Sequence, residues 1–296
     1  MTNGPGSTVS EAVREIAAQL ALAGIESSRL DARLLLEAAT GCTQERLLLE
    51  PSRTLSEAEA TRLLGMVGRR LDREPVSRIL GERYFYGRRF VVTPDTLDPR
   101  PDTEVLVDLA LSIAEEERWH DRSIELLDIG TGTGCILLTL LAEMGLAQGL
   151  GTDLSAAALQ VATHNAGLLG MTGRVRWQKT RSLGGVSGHF DLVVSNPPYI
   201  PSGSIAELDP EVRQFDPLLA LDGGGDGLDI YREIIGVSAK PQFGAGVWFI
   251  VEVGAGQAQD VLALVERHCG TRVADSHRTA LDLGGHTRCV AWKPQI

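Results

Sequence analysis

Leu127-Asp128-Ile129-Gly130-Thr131-Gly132-Thr133-Gly134 is the stretch that decides the fold. It ends a strand over 124–129 and opens the helical pattern of residues 135–144. Strand, glycine-rich turn and helix in that order begin a βαβ unit. The alternation continues with a strand over 149–153, a helix over 156–168 capped by Ser155, and strands over 174–178 and 190–194. This rhythm predicts an α/β fold, a parallel sheet with helices on both faces. Residues 201–226 interrupt it with a loop too long to be a plain connection. A helix over 229–239, a strand over 247–253, a helix over 258–268 and strands near the C-terminal end complete the pattern.

Upstream, Pro99-Arg100-Pro101-Asp102-Thr103-Glu104 leads into a helix running to about residue 117. Residues 79–86 and 89–92, joined at Gly87, read as a β-hairpin. Glu74-Pro75 marks a boundary. Before it, residues 8–74 read as a small helical bundle. One helix runs from Ser10 to about residue 22 with Gly24 as its stop, and a second covers 28–39 with Gly41 as its stop. A short segment follows over 45–49. A last helix, 56–71, opens with a Ser-x-x-Glu capping box from Ser56 to Glu59. Residues 1–7 are small and polar, and disorder is expected there. The expected division is a helical domain over 1–74, a hairpin linker over 75–98 and a main domain over 99–296.

The bulk properties exclude several classes. The chain has 296 residues, 43% of them hydrophobic, ordinary for a protein with a sizeable core. A formal net charge of −11 disfavours a life on DNA or on an anionic membrane. Cys42, Cys135, Cys269 and Cys289 are far apart and form no CxxC pair, which points to reduced thiols and not to a disulfide framework or a zinc site. His164, His189, His277 and His286 show no metal-ligand spacing, so no metal is expected. There is no apolar leader and no run of ~18 apolar residues. A cytoplasmic protein with no membrane contact is expected.

Three groups of residues carry chemistry. Gly130, Thr131, Gly132, Thr133 and Gly134 form a loop whose glycines let the backbone approach a ligand closely. The G-x-G-x-G spacing suits a nucleoside whose sulfonium and amino-acid tail cross the loop. Asp153 ends the next strand, where a carboxylate can take both ribose hydroxyls. Together these imply a nucleoside cofactor but do not choose NAD over S-adenosylmethionine. Ser195-Asn196-Pro197-Pro198-Tyr199 makes the choice. It ends the strand over 190–194, because neither proline has an N–H with which to extend a ladder. A planar –NH₂ is a poor nucleophile, since its lone pair is delocalised as in a peptide bond. Two acceptors that take both of its hydrogens hold the group and return electron density to nitrogen. The Asn196 side-chain carbonyl and the Pro197 main-chain carbonyl are such a pair, and Tyr199 can stack on the planar group. Catalysis would then be positioning for in-line methyl transfer with electrostatic stabilisation, needing no titratable base at the motif.

On these residues the chain resembles the protein-(glutamine-N5) methyltransferases that modify the Gly-Gly-Gln motif of peptide chain release factors. The resemblance covers nearly the whole length. It includes the helical N-terminal part, the Pro-Val-Ser-Arg-Ile-Leu-Gly run from Pro75, the Pro-Arg-Pro-Asp-Thr-Glu run from Pro99, the glycine loop, Asp153 and Asn196 to Tyr199. Asp226-Gly227-Leu228, Glu252-x-Gly254-x-x-Gln257 and Asp282-Leu283-x-Gly285-His286 also fit. It implies a Rossmann-like class I methyltransferase sheet with a small N-terminal helical bundle. It implies that the glycine loop, Asp153 and Asn196 contact S-adenosylmethionine, and that Asn196, Pro197, Pro198 and Tyr199 bind the glutamine amide. Arg100, Thr103 and Glu104 would cover the cofactor and its methionine tail. The helical domain would dock the release factor.

One departure stands out. After the strand containing Trp177 the family usually offers adenine an acidic and then an aromatic residue; here the positions are Thr180 and Arg181. Arg181 can stack its planar guanidinium on adenine. Two related activities share the Asn-Pro-Pro-Tyr logic: methylation of nucleic-acid base amino groups and methylation of a ribosomal-protein glutamine. The acidic charge and the lack of a basic recognition segment disfavour the first. The Pro-Arg-Pro-Asp-Thr-Glu run favours release factors over the second. A cofactor-binding interaction protein without activity is disfavoured by the intact motif.

Overall fold

The computed structural model describes residues 6–238, 246–270 and 277–294. The disorder expected over residues 1–7 does not extend to its last two, since the Gly6 amide donates to the Leu55 carbonyl at 3.4 Å and the Leu55 amide to the Ser7 carbonyl at 2.9 Å; residues 1–5 and the end of the helix expected over 229–239 lie outside the described residues. Two compact units are present: Met1–Gly81 with Pro210–Phe215, and Glu82–Asp209 with Asp216–Ile296.

The first unit is helical. It contains α1 (Val9–Leu22), α2 (Ser28–Thr40), α3 (Gln44–Leu49), α4 (Glu57–Leu71) and α5 (Val76–Leu80). The cap of α1 is Thr8, not Ser10. Thr8 and Glu11 form a reciprocal capping box, and Ser10 already lies inside the helix. The box expected at Ser56 and Glu59 is present, as is the left-handed stop of α2 at Gly41. Ile16, Leu20, Leu35, Leu36 and Leu63 form a fully buried core. Beside them Arg70 donates to Asp31 at 2.7 Å, with both side chains almost wholly buried, and reaches Glu211 at 3.2 Å.

The division between units falls at Gly81 and not at Glu74-Pro75. The cause is α5: Ile79 is buried among the helical core residues, and Gly81 then ends the turn in the left-handed region. Ile79 and Leu80 therefore belong to a helix, and the hairpin is shorter than expected, with β1 (Glu82–Phe85) pairing antiparallel with β2 (Arg88–Val91). Its Phe85 and Phe90 are buried in a core of the sheet unit, so the hairpin is part of that unit and not a linker.

The sheet unit continues with α6 (Glu104–Glu116), β3 (Glu125–Ile129), α7 (Cys135–Glu143), β4 (Gln148–Asp153), α8 (Ala156–Leu168), β5 (Val175–Lys179) and β6 (Leu192–Ser195). After α9 (Pro210–Phe215), which is counted with the helical unit, come α10 (Asp229–Ser238), β7 (Trp248–Glu252), α11 (Ala258–Cys269), β8 (Arg278–Leu281) and β9 (Thr287–Trp292). The strand order is β5-β4-β3-β6-β7-β9-β8, parallel from β5 to β7 and antiparallel at β9 and β8. Both β6 and β7 are buried at every position, which is why they read as continuous apolar runs. One core holds residues of α6 and α7; the other holds residues of α10 and α11. Strand succession reverses between β3 and β6. In open α/β sheets the carboxyl ends of the strands at such a point form the ligand crevice.

Candidate active site

A cavity of about 360 Å³ opens at that edge. Gly130, Thr131, Gly132 and Thr133 of the loop after β3 line it, together with Asp153 at the end of β4 and Asn196, Pro197 and Pro198 after β6. The loop is anchored from below: the amides of Gly130 and Thr131 donate to the Thr152 carbonyl at 2.8 and 2.9 Å. Gly130 and Gly132 adopt positive φ of 72° and 54°, a conformation that L side chains rarely take. Asp153 is locked by the Gly132 amide at 2.9 Å and the Ser155 amide at 2.8 Å, one on each carboxylate oxygen. Each oxygen keeps a further lone pair for a hydroxyl. Ser155 caps α8 as expected, accepting from the Ala158 amide.

The residues after β6 are held from behind. Gln257 donates from Nε2 to the Tyr199 carbonyl at 2.9 Å and accepts the Gly254 amide at 3.1 Å. A Cβ on Gly227 would lie 2.4 Å from the Tyr199 carbonyl oxygen, and one on Gly254 would lie 2.9 Å from the Tyr199 ring. These glycines are needed for space. Asn196 donates from Nδ2 to the Thr103 hydroxyl at 3.2 Å. Its Oδ1 takes no part in that bond and keeps its acceptor capacity.

Two buried carboxyls underlie the site. Asp128, at the end of β3, accepts the Thr131 hydroxyl at 2.6 Å on Oδ2, while its Oδ1 has no hydrogen-bond partner. Burial pushes it up to about 7, with the Thr131 hydrogen bond opposing. Glu252, at the end of β7, is 2% exposed. Burial raises it to about 7, opposed by the Thr103 hydroxyl, the Arg288 guanidinium and the Asn196 amide.

Most residues singled out from the sequence converge on the cavity, and some do not. Arg100 and Thr103 line it, and Arg100 is paired with the buried Asp216 carboxylate at 2.6 Å. Glu104 is not among the lining residues; its carboxylate accepts the Tyr86 amide at 2.7 Å and braces the hairpin. Gly134 begins α7 behind the loop, where an added Cβ would press on Leu138 and Ala162. The Tyr199 ring packs against the second core and is not a lining residue, and burial pushes its hydroxyl up to about 12. Arg181 lines the cavity while its guanidinium pairs with Glu233 at 2.8 Å. The sequence reading missed Pro94, Thr96 and Leu97, Leu154 after Asp153, and Pro217 and Leu219 from the long loop, all of which line the cavity. It also missed Asn165, which donates to the Thr133 carbonyl and accepts the Val91 amide, tying the glycine loop to the hairpin. A buried amide on a helix was the available signal. Among the described residues no group of three His, Cys, Asp or Glu is arranged to hold a metal ion, and no helix is long and apolar enough to cross a membrane.

Sheet order and the placement of these loops on it define the class: a methyltransferase of Rossmann-like class I fold. The family described as methyltransferase small domain matches residues 107–208, and the PrmC N-terminal domain matches residues 11–81. The fold is shared with the catalytic domain of hMettl16 in complex with MAT2A 3′UTR hairpin 6, at a TM-score of 0.53, 16% identity and coverage of 83% of this chain and 86% of that one. The release factor glutamine methyltransferase of Bradyrhizobium diazoefficiens is 44% identical over 97% of this chain and 95% of its own length. That of Agrobacterium fabrum is 40% identical over 99% of this chain and 100% of its own. The chain belongs to the release factor glutamine methyltransferase family.

Proposed function

We propose that this chain transfers a methyl group from S-adenosylmethionine to the side-chain amide nitrogen, N5, of the glutamine in the Gly-Gly-Gln motif of peptide chain release factors. The observation that carries the reading is the orientation of Asn196. Its –NH₂ is engaged by Thr103, which leaves Oδ1 free of that bond as an acceptor for an amide, and Asn196 and Pro197 both line the cavity. Family membership supports the same substrate class.

The residues present fit the cofactor. Gly130 and Gly132 line the cavity with bare main chain, and Asp153 is fixed with lone pairs to spare. Bound there, S-adenosylmethionine supplies an electrophilic methyl group on a positively charged sulfur. Asp153 holds the ribose hydroxyls, the loop receives the remainder through main-chain contacts, and Arg181 offers a planar face near adenine. Asn196 Oδ1 and the Pro197 carbonyl take the two amide hydrogens of the substrate glutamine and hold its nitrogen for in-line attack. Pro198 shapes the wall beside them. Tyr199 acts from behind by fixing the main chain; stacking on the amide would require its ring to leave the core. The helical unit is the second contact for the release factor, since a glutamine in a tripeptide offers little surface.

Purified enzyme offered release factor, a short Gly-Gly-Gln peptide, ribosomal protein and DNA side by side tests the reading. Methylation of the intact release factor is expected, with a much higher KM for the peptide. Preferred transfer to DNA adenine or to ribosomal protein would overturn it.

A further inference from the structure

We propose that Glu252 is a positioning residue that fixes which way the Asn196 side-chain amide faces; this rests on the reading of Asn196 as the acceptor for the substrate amide. The placement follows from the sheet. Ser195 of β6 is in register with Val251 of β7, so Asn196 and Glu252 leave the same sheet edge side by side. Glu252 is almost fully buried and does not line the cavity. Its carboxyl is near enough to the Thr103 hydroxyl and the Asn196 amide for both to favour its charged form. Its Oε2 has no hydrogen-bond partner, so acceptor capacity remains there.

The hydrogen bonds have a direction. Asn196 Nδ2 donates to Thr103 Oγ1 at 3.2 Å, so the Thr103 hydroxyl must place its own hydrogen elsewhere. An ionised carboxylate accepts and cannot donate. Glu252 can therefore take the Thr103 hydrogen, which keeps the Thr103 oxygen an acceptor and the Asn196 –NH₂ turned toward it, with Oδ1 left as an acceptor. If residue 252 becomes a donor, Thr103 can turn its hydroxyl toward Asn196, and the amide can rotate by half a turn. An –NH₂ would then meet the –NH₂ of the substrate, donor against donor, and the acceptor pair would be lost. The groups that face Glu252 include Arg288 and Cys289 on β9, Asp102 in the turn before α6, Tyr231 on α10, Tyr199, and Cys135 at the start of α7. Only Arg288 among them carries a positive charge, and it is shared with Asp102 at 3.0 Å and Asp282 at 2.7 Å. Protonation of Glu252 therefore makes it a donor with little opposition.

The test is Glu252→Gln in the full chain. An amide of the same shape can donate where the carboxylate could not. The kcat for release factor is expected to fall about ten- to a hundredfold, below the loss for removing a whole oxyanion-hole group, with cofactor affinity by calorimetry kept. Wild-type kcat should rise along an acidic limb between pH about 6 and 8, and the variant should lose that limb. Glu252→Asp, which keeps the charge, should recover part of the rate. A Glu252→Gln enzyme with wild-type kcat and an unchanged limb overturns the proposal. Should the variant not fold, a wild-type kcat that is flat across this pH range overturns it. Failure of the underlying reading looks different: wild-type enzyme would not methylate release factor, or Asn196→Ala would retain full rate.

Discussion

The loops after β3 and β6 stand on neighbouring strands and meet at one cavity, yet they are built in opposite ways. The loop after β3 takes its shape from its own glycines: at Gly130 and Gly132 a Cβ would meet nothing within 4 Å, but φ is positive. The loop after β6 is stiffened by its own prolines and shaped from outside. Gly254 and Gly227 are glycines because Tyr199 and Gln257 leave no room for a Cβ. The first arrangement exposes main chain to a ligand. The second immobilises one side-chain amide and one carbonyl. On the proposed function, the former would serve a cofactor of many atoms and the latter an amide that needs two aimed acceptors.

The sharpest way to separate the two is to exchange their defects. Asn196→Ala should lose on the order of 10²–10³ in turnover, by analogy with removing an oxyanion-hole group, while binding S-adenosylmethionine nearly as well. Asp153→Ala should do the reverse. It removes charge-assisted hydrogen bonds of about 1.5–3 kcal/mol, so calorimetry should show roughly ten- to a hundredfold weaker cofactor binding. Equal effects of both variants on both readouts would erase the distinction.

A smaller effect separates the two kinds of glycine. Gly254→Ala places a Cβ 2.5 Å from Gln257 Oε1 and 2.9 Å from the Tyr199 ring. Overpacking of this kind costs about 1–3 kcal/mol, and methyl transfer should suffer while cofactor affinity holds. Gly132→Ala meets no neighbour and should cost about 1–2 kcal/mol through backbone conformation alone, with cofactor affinity as the casualty. Thermal denaturation with calorimetry reads both, and swapped outcomes would contradict the comparison.

A last test concerns pH. Asp128 is raised by burial from the usual carboxylate range to about 7. A raised acid favours the folded state below its unfolded pKa, and that contribution is lost as pH climbs through the folded value. A tenfold difference in proton affinity between the folded and unfolded chain is worth about 1.4 kcal/mol. The stability difference, wild type minus Asp128→Asn, should therefore fall as pH rises from about 5 to about 8. A difference that is constant or rising would contradict the assignment.

The alternation of the sheet unit was legible because β6 and β7 are buried at every position and are apolar up to their last residues. The hairpin was overextended because Ile79 and Leu80 are as apolar as strand residues but are spent on a helical turn. That the glycine loop, Asp153 and Asn196 meet at one cavity was legible because their residue types at strand ends are demanded by backbone or by chemistry. The roles of Glu104 and Tyr199 were not, since a carboxylate in a helix's first turn and a tyrosine after two prolines suit a ligand or a core equally well; only packing chooses. Glu252 was legible only as part of the Glu252-x-Gly254-x-x-Gln257 run and was given no role there, since the side chains that stand next to it are set by the sheet.

The most direct measurement is mass spectrometry of release factor after incubation with the enzyme and S-adenosylmethionine. The result expected is one added CH₂ on the glutamine of Gly-Gly-Gln, located to the side-chain amide nitrogen by fragmentation and absent with Asn196→Ala. A methyl group on a lysine, on the main chain or on any other glutamine would contradict the claim that two aimed acceptors after β6 select a primary amide.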